Sequence, residues 1–131
     1  MSAAEAVLAA AHAALAGVEG LGGVFEPGPV RASVPFATLE ITAESDWGHK
    51  SGAGRELRLT ATVRDEGESG ARARALAAAI EAVLLALPVA IAGWQVASVA
   101  LVRARATRER AKGGVGGWAV TSDVRVRVLA D

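Results

Sequence analysis

Three stretches of this 131-residue chain carry residue types that could do chemistry. The first is the loop Asp46-Trp47-Gly48-His49-Lys50-Ser51-Gly52-Ala53-Gly54. Asp46, His49 and Ser51 supply the side-chain types of a hydrolytic triad, in which a carboxylate holds a base that takes a proton from a hydroxyl. All three lie on one loop of small residues, without the rigid support that holds a base against a nucleophile. Gly48-His49-Lys50-Ser51-Gly52 also has the letters of a phosphate loop. There, however, Lys-Ser must follow the last glycine and open a helix, and here it precedes that glycine. The loop reads as a solvated connection.

The second stretch, Gly114-Val115-Gly116-Gly117-Trp118-Ala119, matches GxGxxA, which in dinucleotide folds cradles a pyrophosphate at the start of a helix. A strand pattern follows it, so it reads as a hairpin tip. The third is the basic series Arg103, Arg105, Arg108, Arg110 and Lys112. No aromatic residues interleave for base stacking, so the series reads as a solvated strand face or an intersubunit salt-bridge surface, with weak contact to passing DNA as the alternative. The two histidines, His12 and His49, fall on different elements without a second ligand at metal-binding spacing, and no carboxylate pair is placed for shared acid–base work. Cysteine is absent, which removes disulfides, zinc knuckles, iron–sulfur sites and thiol catalysis together. The expectation is a non-enzymatic chain with no catalytic residue, cofactor or metal.

The elements that must position these stretches are legible from periodicity. A helix opens at Ser2 or Ala3 and runs to about Ala16, with Glu5 in its first turn and Gly17 as its stop. Its larger residues, Val7, Leu8, Leu15 and Val18, form one narrow stripe on an alanine surface, so the helix needs a close neighbour in its own sheet or in another subunit. Residues 17–35 hold five glycines and three prolines, Pro27, Pro29 and Pro35, and read as a long surface connection with a short extended piece at Val24-Phe25-Glu26.

Strand patterns follow at 36–43, with Ala37, Leu39, Ile41 and Ala43 as the apolar set, and at 55–64, with Leu57, Leu59, Ala61 and Val63 opposite Arg58, Thr60, Thr62 and Arg64. Asp65 and Glu68 have capping-box spacing before a helix at about 68–87. That helix places Ala73, Leu76, Ala77, Ile80, Val83, Leu84 and Leu87 on one face, and Pro88 ends it. A long strand at 94–107, with a bend or overhang, and a last one at 118–129 complete an α-β-β-α-β-β order. The economical architecture is a single α+β domain spanning 1–131, with an antiparallel four-stranded sheet and helices packed on a face.

Composition sets the remaining bounds. The chain is 52% hydrophobic but only 4% aromatic, so its core must be aliphatic and each tryptophan is a large piece of apolar surface. The net charge is zero, yet residues 1–71 carry 5 basic and 10 acidic side chains, whereas residues 100–131 carry 7 and 3. If the two ends reach opposite surfaces, unlike patches allow head-to-tail stacking of copies; a fold that sets them side by side cancels the asymmetry. The apolar run at 3–16 lacks a basic flank and contains Glu5 and His12, and no run approaches the roughly 20 apolar residues of a spanning helix. The expectation is assembly in a cytosol.

The loop Asp46-Trp47-Gly48-x-Lys50-x-Gly52-x-Gly54, the strand from Leu57 to Val63 and the alanine-rich helix ending at Leu87-Pro88 resemble a family of small tail-completion proteins. These are encoded by long-tailed phages, prophages and phage-like gene transfer agents. The first helix ahead of a Gly/Pro-rich connection fits, as does a late arginine-bearing strand followed by a final hairpin. The resemblance implies a structural tail terminator, usually a six-subunit ring that caps the tail tube and offers its other face to the neck. Carried over to this chain, loops 46–54 and 108–117 reach neighbouring subunits or the tube. The candidate docking residues are then Asp46, Trp47, Gly48, His49, Lys50, Arg103, Arg105, Arg108, Arg110 and Lys112, with Trp47 as anchor.

The implied partners are further copies of the chain, the tail tube protein and a neck or head–tail connector protein. DNA only passes through the ring, no membrane is involved, and the particle assembles in a bacterial cytoplasm. A head–tail joining, or stopper, protein is the alternative within this class. Outside it stands a small-ligand-binding domain or enzyme, which requires a closed pocket with convergent polar groups. The connection 17–35 departs from the compact linkers expected of the family.

Overall fold

Alternating apolar residues hold a strand in place only where something covers their face, and here two helices cover one face of a single sheet. The computed structural model describes residues 1–28, 32–110 and 116–131; Pro29, Lys112, residues 113–115 and the side chain of Arg110 lie outside the described residues. The elements are α1 (Ala3–Leu15), β1 (Val24–Phe25), β2 (Phe36–Asp46), β3 (Gly54–Glu66), α2 (Ala71–Leu85), β4 (Ala90–Ile91), β5 (Trp94–Arg110) and β6 (Gly116–Ala130).

The expected four-stranded antiparallel sheet is corrected by this architecture. The sheet has six strands in the order β1-β2-β3-β6-β5-β4, is mixed, and curls into a half-barrel. The two additional members, β1 and β4, are two residues long, too short for any period to register in the sequence. Their neighbours' backbones recruit them. β1 pairs parallel with β2 through Val24↔Ala37 and Phe25↔Thr38. β4 turns back on β5 through Ile91↔Trp94, across Gly93 at φ +80°, a conformation that favours glycine. The four long strands pair as two hairpins joined by the antiparallel β3–β6 ladder.

The core lies between the sheet and the helices. Leu57, Leu59, Ala61 and Val63 of β3 and Val124, Val126 and Val128 of β6 meet Leu76, Ile80 and Leu84 of α2 and Val7 and Leu15 of α1. Each fully buried Leu, Ile or Val contributes roughly 1.5–3 kcal/mol, which outweighs the modest helix-forming tendency of either helix alone. α1 therefore finds its neighbours within its own chain, packing on β2 and α2. Its start is a full capping box: the Glu5 amide donates to Ser2 Oγ at 3.1 Å, and the Ser2 amide donates to Glu5 Oε2 at 3.2 Å.

Two local expectations are also corrected. A bulge between Ile41 and Ala43 shifts the register of β2, so Ala43 pairs with Arg58 and is exposed instead of continuing the inward set. Asp65 does not cap α2, whose N-cap is Gly70 without a side-chain cap. Asp65 is instead a buried member of β3, 4% exposed, and it accepts both Arg72 Nε at 2.8 Å and Arg72 Nη2 at 2.6 Å. That bidentate pair bolts the first turn of α2 to the sheet.

Candidate docking surface

The loop between β2 and β3 is closed upon itself. The Trp47 amide donates to Gly54 O at 2.9 Å, and His49 and Gly52 exchange amide bonds at 2.8 and 3.1 Å, leaving Lys50 and Ser51 as the exposed tip. Asp46 Oδ1 accepts from the Gly48 amide at 3.3 Å, a local turn and not a catalytic contact with His49. At Gly54 a Cβ would sit 2.6 Å from Trp47 O, so only glycine lets the loop close. The letters of a phosphate loop thus fold into a two-residue hairpin tip.

Trp47 is half-buried. His49 meets it edge-on at 4.8 Å between ring centroids, and the Arg127 guanidinium lies 5.3 Å from its ring. Arg127 Nε in turn donates to Glu56 Oε1 at 2.7 Å. The indole is therefore braced against β6 of its own chain, with one side left to solvent, in a geometry suited to a cation–π contact.

The basic series divides. A second bulge pair on β5, between Val96 and Ser98 and between Leu101 and Arg103, sets its facing. Arg103 and Arg105 pair with Asp123 and Thr121 on the helix-free face, whereas Arg108 pairs with Trp118 on the helix side. The Arg108 and Arg74 guanidiniums lie 5.3 and 5.1 Å from the Trp118 ring, whose Nε1 donates to Gly67 O at 3.2 Å. Arg108 is thus tied to its own chain, and Arg103 and Arg105 are exposed. Of the GxGxxA match, the described part from Gly116 onward is strand β6, not a helix start.

The long strand expected to bend or overhang carries two bulges, and from Leu101 to Glu109 every residue of β5 is exposed although paired with β6. A polar network escaped sequence reasoning. On the helix-free face, Thr60 Oγ1 donates to Asp123 Oδ1 at 2.6 Å, Thr62 and Thr121 hydroxyls lie 3.2 Å apart, and Arg64 holds both oxygens of Glu109 at 2.9 Å. Those polar groups satisfy one another. Among the described residues no group of three metal-ligating side chains forms, and no helix is long and apolar enough to cross a membrane.

A sheet with cross-strand polar pairs, a self-closed loop and a long exposed strand is equipped for contact. A family model described as Tail completion protein gp17 matches residues 3–129, and the chain belongs to that family of structural phage tail proteins. Among solved structures it is similar to a chain in the virion of a native gene transfer agent particle. That likeness has a TM-score of 0.73 at 22% identity, covering 98% of this chain and 96% of the other, and establishes the shared fold. Among curated proteins no sequence matches.

Proposed function

We propose that this chain caps the tail tube of a phage-like particle as a ring, the tail terminator, and joins the tube to the neck. The observation that carries the reading is the match to the tail-completion family along residues 3–129. The end-to-end structural likeness to a chain of a gene transfer agent virion supports it. A cap requires two unlike docking surfaces and no reaction centre. The acidic β2 margin, with Glu40, Glu44 and Asp46 exposed, and the basic β5 margin, with Arg103 and Arg105 exposed, are two such surfaces on opposite sides of the sheet. The partners in this reading are further copies of the chain, six in the family's usual ring, the tube protein and a neck connector, with DNA in transit through the lumen. The particle assembles in a bacterial cytoplasm. The 46–54 loop, with the open side of Trp47, docks on the tube or the neighbouring subunit.

Deleting the gene and imaging the particles tests the reading. Tails of irregular length without heads are the expected outcome, and a ring labelled through this chain at the head-proximal end of the tube locates the cap. Tails of normal length that fail to hold heads point instead to a stopper. Normal particles in its absence refute both.

A further inference from the structure

The sheet order pairs β3 with β6 at the centre, where Arg127 meets Glu56, and leaves the acidic strand β2 and the basic strand β5 on opposite sides. Among the described residues, β2 pairs with β1 only at Ala37 and Thr38 and beyond that offers an unpaired edge carrying Glu40, Glu44 and Asp46. Among the same residues, β5 pairs with β4 only at Trp94 and Gln95 and offers a longer unpaired edge carrying Arg103 and Arg105. Long uncovered edges are templates for pairing with another chain, and natural sheets usually blunt them.

The surfaces beside these edges are complementary in shape and polarity as well. Along β2, between that strand, α1 and the turn after β1, runs an open groove of about 420 Å³. Ala4, Leu8, Leu39 and Ile41 form its apolar floor, and Glu5, Glu26 and Glu40 its rim. On β5 the reverse pattern protrudes: Leu101 and Val102 are 38% and 45% exposed, followed by Arg103 and Arg105. Among the described residues neither arginine has a carboxylate within 4.0 Å, although Asp123, which accepts from Thr60, is opposite Arg103 in the ladder.

We infer that the 101–105 segment of β5 in one copy docks into the acid-rimmed groove beside β2 of the next copy, a heterologous contact that carries the sheet from subunit to subunit. This rests on the ring-forming role proposed above and names the surface that closes the ring. The sense of the strands permits it. β2, β3, β6 and β5 alternate in direction, so the outer strands run oppositely, and copies related by rotation about an axis along the strands meet antiparallel. An unlike-edge contact closes into a ring when its rotation divides the circle. The apolar pair Leu101-Val102 covers the groove floor while Arg103 and Arg105 reach its rim, where Glu26 and Glu40 are exposed.

Charge exchange tests the contact. Arg103→Glu with Arg105→Glu, and separately Glu26→Arg with Glu40→Arg, are each expected to abolish crosslinked multimers of the chain, in purified form at high concentration and in particles from a complemented deletion strain. Mixing the two variants restores multimers, because every contact then joins unlike edges again. A thermal melt of each variant distinguishes lost contact from lost folding. As a second readout independent of charge, the chain's lack of cysteine allows Ile41→Cys with Ala104→Cys, both on the helix side of their strands, to give a disulfide ladder without background. Multimers that survive both charge reversals, or folded variants that fail to be restored by mixing, overturn the inference. In that event rings still present at the tube end leave the terminator reading intact, whereas absence of the wild-type chain from particles defeats that reading while the crosslinks of the purified chain still decide this contact.

Discussion

The two hairpins of the sheet use similar sequence materials to opposite ends. The β2–β3 turn is short of bulk, rich in glycine and polar, yet it folds back on itself, with His49 bonded to Gly52 and Trp47 braced by Arg127. The β5–β6 hairpin is built on longer strands, yet nine successive residues of β5 are exposed. Its tryptophan is also near the turn, two residue pairs from the end of the ladder, where Trp118 lies between Arg74 and Arg108 and donates to Gly67. Both hairpins thus hold a tryptophan near the tip, but Trp47 is braced against strand β6, whereas Trp118 is fastened to the first turn of α2 and to the turn that precedes it. The difference shows that a loop's composition is a poor guide to what fastens it; the partners of its large apolar side chain decide that.

This contrast can be broken at several points. The largest effect is expected at the β5–β6 hairpin: Trp118→Ala removes the ring held by both guanidiniums and lowers stability by about 3 kcal/mol, read by urea denaturation. Asp65→Ala, directly opposite Trp118 in the β3–β6 ladder, leaves Arg72 without its carboxylate and lowers stability by about 2 kcal/mol at neutral pH. Hydrogen bonding from the Arg72 side chain, joined by the Glu66 amide, holds the Asp65 carboxyl below its ordinary value against the opposing effect of burial. With the folded value lowered, this stabilisation is fully present above the ordinary carboxyl range near pH 4 and is lost as pH falls through the folded value. The gap between wild type and Asp65→Ala therefore narrows in acid, and a gap constant from pH 7 to pH 2 contradicts the assignment.

At the other hairpin the effects are smaller. Gly54→Ala forces a methyl against Trp47 O and Leu129, which opens the turn at a cost of about 1–2 kcal/mol and accelerates amide exchange at Trp47 and His49. Trp47→Ala costs about 1 kcal/mol, leaves the chain folded and reduces particle yield; global unfolding of this variant would place Trp47 in the core instead. Arg103→Glu with Arg105→Glu is the smallest of all for the isolated chain, within about 0.5 kcal/mol of wild type, because both side chains are exposed.

The strand 55–64 shows how much could be read early. Its alternation places Leu57, Leu59, Ala61 and Val63 inward, and all four are buried. The main helix face from Ala73 to Leu84 was legible for the same reason, since a covered face must repeat at the period of its element. The candidate docking residues were legible only as types. Arg103, Arg105 and Arg108 form one series in sequence, but the register is unbroken from Arg103 onward, so simple alternation puts Arg103 and Arg105 on one face and Arg108 on the other. Which face each takes is set by the bulge between Leu101 and Arg103, and no periodicity marks where a bulge falls.

The sequence by itself determined the order of the long elements, the aliphatic core, the absence of thiol chemistry and the kinship with tail-completion proteins. These depend on local periodicity, on composition and on motif spacing, all of which are written along the chain. Only the tertiary structure decided that β1 and β4 extend the sheet to six strands, that Asp65 grips α2, and that the acidic strand β2 and the basic strand β5 take opposite sides of the paired β3 and β6. Each of those depends on which distant backbone or side chain arrives alongside, and that is a property of the pairing of strands and not of any one stretch of residues.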